Sequence, residues 1–521
     1  MRKRRAVAIG LDAASPRLLK KWASDGTLPV LAKLLRDGRS GSLRGLEGFY
    51  IGSTWPSLFT GTTPADHGFH YQQQLVPGTY ELRRMADGPG LGTAPFWRRL
   101  SHSGLRVAVL DVPLASPEDS LNGIQVVEWG VHDELFGFQT FPRELETKVL
   151  SSYGRHPVGS FCDASGRSEE QYIAFAEHLV SGIDAKTRMT LDLLHSEPWD
   201  FFIQVFSEAH CVGHQCWHMH DRNHPGHDER LLETRGDPVR RVYAALDRAV
   251  GKLIEDLDDC LVVVFTAHGM THWYGVQFMF REILFKLGAA VPVAGQQEPQ
   301  AMGTLRSAWR RLPGSVRSRM KPLKDLFIAD RIPETTSPGL GVDPLASACI
   351  PVNNGLGTAG IRLNVAGRES SGVLKPGPEL EAYVDALTSA LTGLIDVQSG
   401  RPLVHRVLRT GSLYQGALLD HLPDLVVEWS RSIPVGSSIV SGGKGAQVTA
   451  HSERFGRIVG RNTYGRTGEH EPDGFFVIRG PGVGPGERRE AASILDLAPT
   501  FCQMCGVHSN DYPGRPIPLD G

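Results

Sequence analysis

The sequence predicts an α/β protein built on a mostly parallel central sheet, and three observations carry that reading. Short apolar, β-rich runs alternate with helical patterns along the chain. The strongest runs end on chemically active residues: Asp12 after Arg5–Leu11, a histidine-rich segment after Phe201–Phe206, and His268 after Leu261–Thr266. The carboxyl ends of parallel strands are where open α/β sheets place their sites, so three distant segments are expected to converge. With 521 residues the chain can bury a large core, and one big domain with a lobe or cap is expected.

Taken in order, the first strand delivers Asp12, and amphipathic patterns predict helices over Pro16–Ala23 and Leu28–Leu35. Ser53-Thr54-Trp55-Pro56-Ser57 then offers a hydroxyl pair before a Trp-Pro step, where proline can open a helix and leave backbone donors free. A carboxylate at a strand end plus a hydroxyl at a helix start is how a metal-activated nucleophile is built. A strand over Arg106–Val112 and a helix over Glu169–Leu194 lead to the strand Phe201–Phe206.

After that strand, His210, His214 and His218 are spaced by four and would share one helical face. Two imidazoles at i and i+4 are well placed to grip one metal ion, which selects His210 and His214. His218 and His220 are expected on the surface or the pocket wall. Glu208 is the one acidic residue beside the cluster and a candidate ligand or base. A helix over Pro238–Leu257 precedes the buried strand Leu261–Thr266, where Gly269 permits a tight turn that points His268 into the cleft. A helix over Leu380–Leu394 follows, and His470 sits in a loop before the strand Gly474–Ile478.

Composition excludes several function classes. Lys plus Arg number 55 against 57 Asp plus Glu, a net charge of -2, which gives no field for coating nucleic acid or adhering to membrane. Seven scattered cysteines argue for reduced thiols, and Cys502-x-x-Cys505 is read as buried and apolar. The basic start is followed by too short an apolar run for a signal peptide, and no stretch reaches the roughly eighteen apolar residues of a membrane span. A cytoplasmic protein is expected. Residues 291–343 carry Ser-Ala-Trp-Arg-Arg and Arg-Ser-Arg-Met-Lys between Gly/Pro-rich flanks, and are read as an inserted basic helical cap or lid. The catalytic domain then comprises 1–290 and 344–521.

Five short motifs, Gly10-Leu-Asp12, Thr54-Trp-Pro-Ser57, Pro64-Ala-Asp-His67-Gly68, His268-Gly-Met270 and Gly468-Glu-His470, resemble the alkaline phosphatase superfamily. The branch they resemble is the type I phosphodiesterase / nucleotide pyrophosphatase group, with its bacterial phosphohydrolase/phosphomutase members. Ile361-Arg-Leu-Asn364-Val-Ala-Gly-Arg368-Glu369, Pro423-Asp424-Leu-Val and Ile494-Leu-Asp496-Leu-Ala-Pro-Thr500 extend the resemblance over almost the whole chain, in order.

The resemblance implies an alkaline-phosphatase-like three-layer sandwich and a metal-dependent phosphoesterase acting on a small phosphate ester or nucleotide-like substrate. It implies one or two zinc or similar divalent ions held by Asp12, Thr54, His210, His214, His268 and His470. Thr54 would be the nucleophile that forms a covalent intermediate, with Ser53 in reserve, and Ser57 would donate to a phosphoryl oxygen in place of the family's Asn. No nucleic-acid or membrane partner is implied, and the Cys-x-Pro-x-Arg signature of sulfatases is not at the nucleophile.

Two departures matter. His210 stands where the family has aspartate, and Ala267 replaces the aspartate before His268. Two divalent ions would then leave excess positive charge in a low-dielectric pocket. Three outcomes follow: one ion on His210, His214 and His470; two ions with the deficit met by substrate or Glu208; or a degenerate site that binds an anion or metabolite without turnover. A phosphoryl or nucleotidyl transferase of the same superfamily is the competing enzyme class.

Overall fold

The computed structural model describes residues 5–519 apart from 133, 160–162, 164–166, 294–339 and 438–444. The central sheet contains β1 (Arg5–Leu11), β2 (Arg39–Arg44), β3 (Val107–Leu110), β4 (Gly123–Val127), β5 (Gln139–Phe141), β6 (Phe201–Phe206), β7 (Cys260–Thr266) and β8 (Gly474–Arg479). Their spatial order is β2-β8-β7-β1-β6-β3-β4-β5. The inner strands β7, β1, β6, β3 and β4 are parallel. On one side β8 runs antiparallel to β7 and β2, and on the other β5 runs antiparallel to β4.

Residues along β1, β6 and β7 are apolar almost without interruption because both faces of these strands are covered. Val7, Ile9 and Leu11 face one layer, formed with α1 (Pro16–Ser24), α3 (Glu169–Ser196), α4 (Glu208–His220) and α5 (Pro238–Ile254). Ala6 and Ala8 face the other layer, where Trp55 and Phe59 of α2 (Thr54–Thr60) pack with Phe96, Trp97 and Phe501. The result is helices, sheet, helices. Local chemistry sets several boundaries. Ser168 and Gln171 close a capping box at the start of α3. Asp237 caps α5 by accepting from Val239 and Arg240 N–H, with Pro238 at the first helical position. That helix stops at Ile254, short of the expected Leu257, where the acidic run Glu255–Asp259 opposes the helix dipole.

A second, antiparallel sheet, from Cys349–Val352, Thr358–Leu363, Val404–Arg409 and Leu425–Trp429, has its own apolar core. There Glu369 pairs with both Arg362 (2.6 Å) and Arg368 (2.8 Å), which are committed to structure. The expected basic insert lies largely outside the described residues. Its flanks meet, with Asp343 N–H donating to Val291 C=O at 2.7 Å. Among the described residues, no helix is long and apolar enough to cross a membrane.

Candidate active site

Register brings the catalytic candidates together. In β1, Leu11 stands opposite Phe206 of β6, and Gly10 opposite Phe265 of β7. Asp12, the start of α4 and His268 therefore leave the sheet side by side, and Asp12 N–H still donates to Phe206 C=O at 2.8 Å. A Cβ at Gly10 would stand 3.2 Å from the Trp55 ring, so glycine lets the indole pack over the strand. From there Trp55 Nε1 donates to Asp12 Oδ1 at 2.8 Å. The other oxygen, Oδ2, accepts from His210 Nδ1 at 2.7 Å, and His268 Nε2 lies 3.5 Å from Oδ1. Burial would raise the Asp12 pKa, but the charge and hydrogen bond of His210, then His268 and the Trp55 N–H, outweigh it and hold the carboxyl at about 2.

The imidazoles form one buried cluster. Ring centroids are 4.6 Å apart for His210–His214, 4.7 Å for His210–His470, 4.8 Å for His214–His470 and 4.5 Å for His268–His470. His470 arrives on a short ribbon, Gly468–Glu471 paired with Gly269–His272. A Cβ at Gly468 would stand 2.3 Å from the Gly213 carbonyl, so only glycine lets the ribbon approach α4 this closely. His214 Nδ1 donates to the Gly468 carbonyl at 2.8 Å, which makes Nε2 the lone-pair nitrogen. That Nε2 faces His470 Nε2 at 3.2 Å. Burial pushes the pKa values of His214 and His470 well below the ordinary range, and that of His268 down to about 4. His214, His268 and His470 are thus neutral at pH 7, and their nitrogens can serve as ligands.

Among the hydroxyls of residues 53–60, Ser53 Oγ donates to Phe49 C=O (3.0 Å) and Thr60 Oγ1 to Pro56 C=O (2.7 Å). Ser57 Oγ lies 2.8 Å from His67 Nε2; because His67 Nδ1 accepts from Phe69 N–H, Nε2 donates and the serine proton remains available. Thr54 Oγ1, fully buried, has no hydrogen-bond partner among the described residues.

Glu208 has partners outside the cluster. Its Oε1 lies 3.1 Å from His156 Nε2 and 3.4 Å from Lys186 Nζ, and Lys186 also pairs with Asp111 at 3.1 Å. This buried lysine offsets the charge of the carboxylate at the start of α4, while Oε2 is buried without a hydrogen-bond partner among the described residues. His218 sits against Thr467 and Tyr172, and His220 bonds Asp237, so neither joins the cluster.

Three residues not singled out from the sequence enter the site. His132 stacks 4.3 Å from His210, and His132, His210 and His214 each offer a ligand atom within 4.8 Å of the others. Arg466 reaches His132 and His214, and Asp163 pairs with Arg466 at 2.6 Å. His132 comes only after an irregular stretch beyond β4, so the strand-end position that marks Asp12 does not mark it. The cavity between these groups measures about 50 Å3 and is lined by Asp12, Trp55, His210, His268, Arg466 and His470 among others.

No curated protein matches the sequence. By structure, the chain is similar to the alkaline phosphatase PafA, with TM-score 0.50, 14% identity, and 99% of each chain covered. Phosphonoacetate hydrolase from Sinorhizobium meliloti (0.49, 15%, covering 97% of this chain and 96% of that one) and murine ectonucleotide pyrophosphatase/phosphodiesterase 5 (0.47, 12%, 98% and 97%) are also similar. The sequence model of one family, type I phosphodiesterase / nucleotide pyrophosphatase, matches residues 6–318. The chain belongs to the type I phosphodiesterase / nucleotide pyrophosphatase family, enzymes that act on phosphate ester bonds.

Proposed function

We propose that the protein hydrolyses a small phosphate ester through a covalent intermediate on Thr54, beside a zinc-type divalent ion held chiefly by His210, His214 and His470. The observation that carries this reading is Thr54 Oγ1, a buried hydroxyl without a hydrogen-bond partner among the described residues, in a segment where Ser53, Ser57 and Thr60 are all engaged.

The donor set fits such an ion. Two nitrogens bound to one tetrahedral zinc at about 2.0–2.1 Å stand about 3.3 Å apart, and His214 and His470 present Nε2 atoms separated by 3.2 Å. An imidazole-rich set favours zinc or another borderline transition ion over magnesium. When bound, the ion supplies positive charge that lowers the pKa of a nearby hydroxyl and offsets charge on the phosphoryl oxygens.

The chain's own groups do the rest. Asp12, fixed by Trp55, holds His210 by its Nδ1, the carboxylate–imidazole arrangement that orients a metal ligand. In the first step Thr54 Oγ1 bonds to phosphorus as the leaving alcohol departs; in the second, water takes that phosphoryl group and restores the hydroxyl. Ser57, oriented by His67, donates to a phosphoryl oxygen. Turnover of aryl phosphate mono- and diesters tests the reading: wild type and Ser53→Ala should be active and Thr54→Ala inactive, whereas an active Thr54→Ala rejects the nucleophile.

A further inference from the structure

Arg466 introduces a cation that the phosphoesterase reading does not use. It lies two residues before the ribbon strand that carries His470, and it is buried. Its Nη2 and Nε lie 2.6 and 2.9 Å from Asp163 Oδ2. Nη1 is 3.4 Å from His214 Nε2, and Nη2, which also meets Asp163, is 3.2 Å from His132 Nε2.

A guanidinium has only donors and keeps its proton at every relevant pH, so both imidazole nitrogens must be accepting. For His214 this agrees with the tautomer fixed independently by the Gly468 carbonyl. The lone pairs that face Arg466 are therefore ones a divalent ion would take. Two cations drawn to the same nitrogens also repel strongly at a few ångströms in a buried site. Asp163 tempers this, because its carboxylate pairs with Arg466 at 2.6 Å.

We propose that Arg466 is an internal competitor for the metal, holding the His214 and His132 lone pairs until a divalent ion displaces it, with Asp163 as the counter-charge that sets the balance. Arg466 is here a positioning residue: it tunes how tightly the centre holds its ion. Once displaced it stays paired with Asp163 beside the cavity that it helps to line. The inference rests on the divalent-ion centre proposed above.

The test is zinc affinity of the full-length protein, measured by calorimetric titration and by competition with a chelator. Arg466→Gln should bind zinc about tenfold or more tightly than wild type, because a competitor leaves and Asp163 is uncovered. Asp163→Asn should bind more weakly by a similar factor, because the guanidinium loses its counter-charge. Damage to the fold alone lowers affinity in both variants, so the opposite signs are diagnostic. Unchanged or weaker binding by Arg466→Gln overturns the proposal. If that variant does not fold, unchanged or tighter binding by Asp163→Asn overturns it. Should wild type and every variant bind no better than His214→Ala, the ion centre itself fails and the competition with it.

Discussion

Trp55 Nε1 donates to Asp12 Oδ1 across 2.8 Å, tying the end of the first strand to the first turn of the helix that carries Thr54. Through Oδ2 the same carboxylate reaches His210, so one buried group links the nucleophile segment to the histidine cluster. Trp55→Phe removes the donor together with part of the buried indole. Loss of such a supporting hydrogen bond costs about 10–100-fold in metal affinity or activity. We expect that loss together with a moderate fall in thermal stability from the smaller ring, measured by ester turnover and zinc titration on the folded variant.

The nucleophile assignment predicts a contrast between neighbours. Acid-quenched wild type, caught during turnover of an aryl phosphate, should carry a phosphoryl group on the peptide containing Thr54, located by tandem mass spectrometry. Ser53→Ala should carry it too, since the Ser53 hydroxyl is spent on the Phe49 carbonyl. A label on Ser53 would reverse the two roles.

The buried Lys186 network predicts a separation of stability from metal binding. Lys186→Met leaves Asp111 and Glu208 as uncompensated buried carboxylates and should cost about 3–5 kcal/mol. Glu208→Gln should keep full metal content while unfolding at lower denaturant. Metal loss in Glu208→Gln with unaltered stability would place Glu208 in the ligand set.

Acid should destabilise the fold through histidines away from the cluster. Burial lowers His67, His70 and His218 to about 3 and His224 to about 4, from an ordinary 6.5. As pH falls, the unfolded chain takes up these protons first. Their contribution is complete above about pH 6.5 and is lost progressively toward pH 4 and below. At pH 5 each ring costs roughly 2 kcal/mol, so Tm measured without metal should drop steeply between pH 7 and 5. A flat profile would mean that these rings are solvated.

Much of the scaffold was legible in the sequence because the inner strands are buried on both faces. Arg5–Leu11 and Phe201–Phe206 are observed with the bounds their mostly apolar runs suggest, and Cys260–Thr266 differs by one residue. Asp12, His210, His214 and His268 could be singled out because they follow strands or recur at helical spacing, and His470 because it sits between apolar runs in a short motif; the expected loop there is a short ribbon strand. His132, Asp163 and Arg466 carry no such signal. They lie in irregular segments, and only the tertiary fold brings an Arg–Asp pair against two imidazoles. Glu208 shows the same limit: proximity in sequence to His210 made it a candidate, and the lysine that pairs with it lies on another helix.

An anomalous-scattering map at the zinc edge, from crystals of the zinc-loaded protein, tests the central claim most directly. The account predicts a peak about 2.0–2.1 Å from Nε2 of both His214 and His470, next to His210 and within reach of Thr54 Oγ1. A map without a peak among these rings, or with zinc bound only at histidines elsewhere, would contradict it.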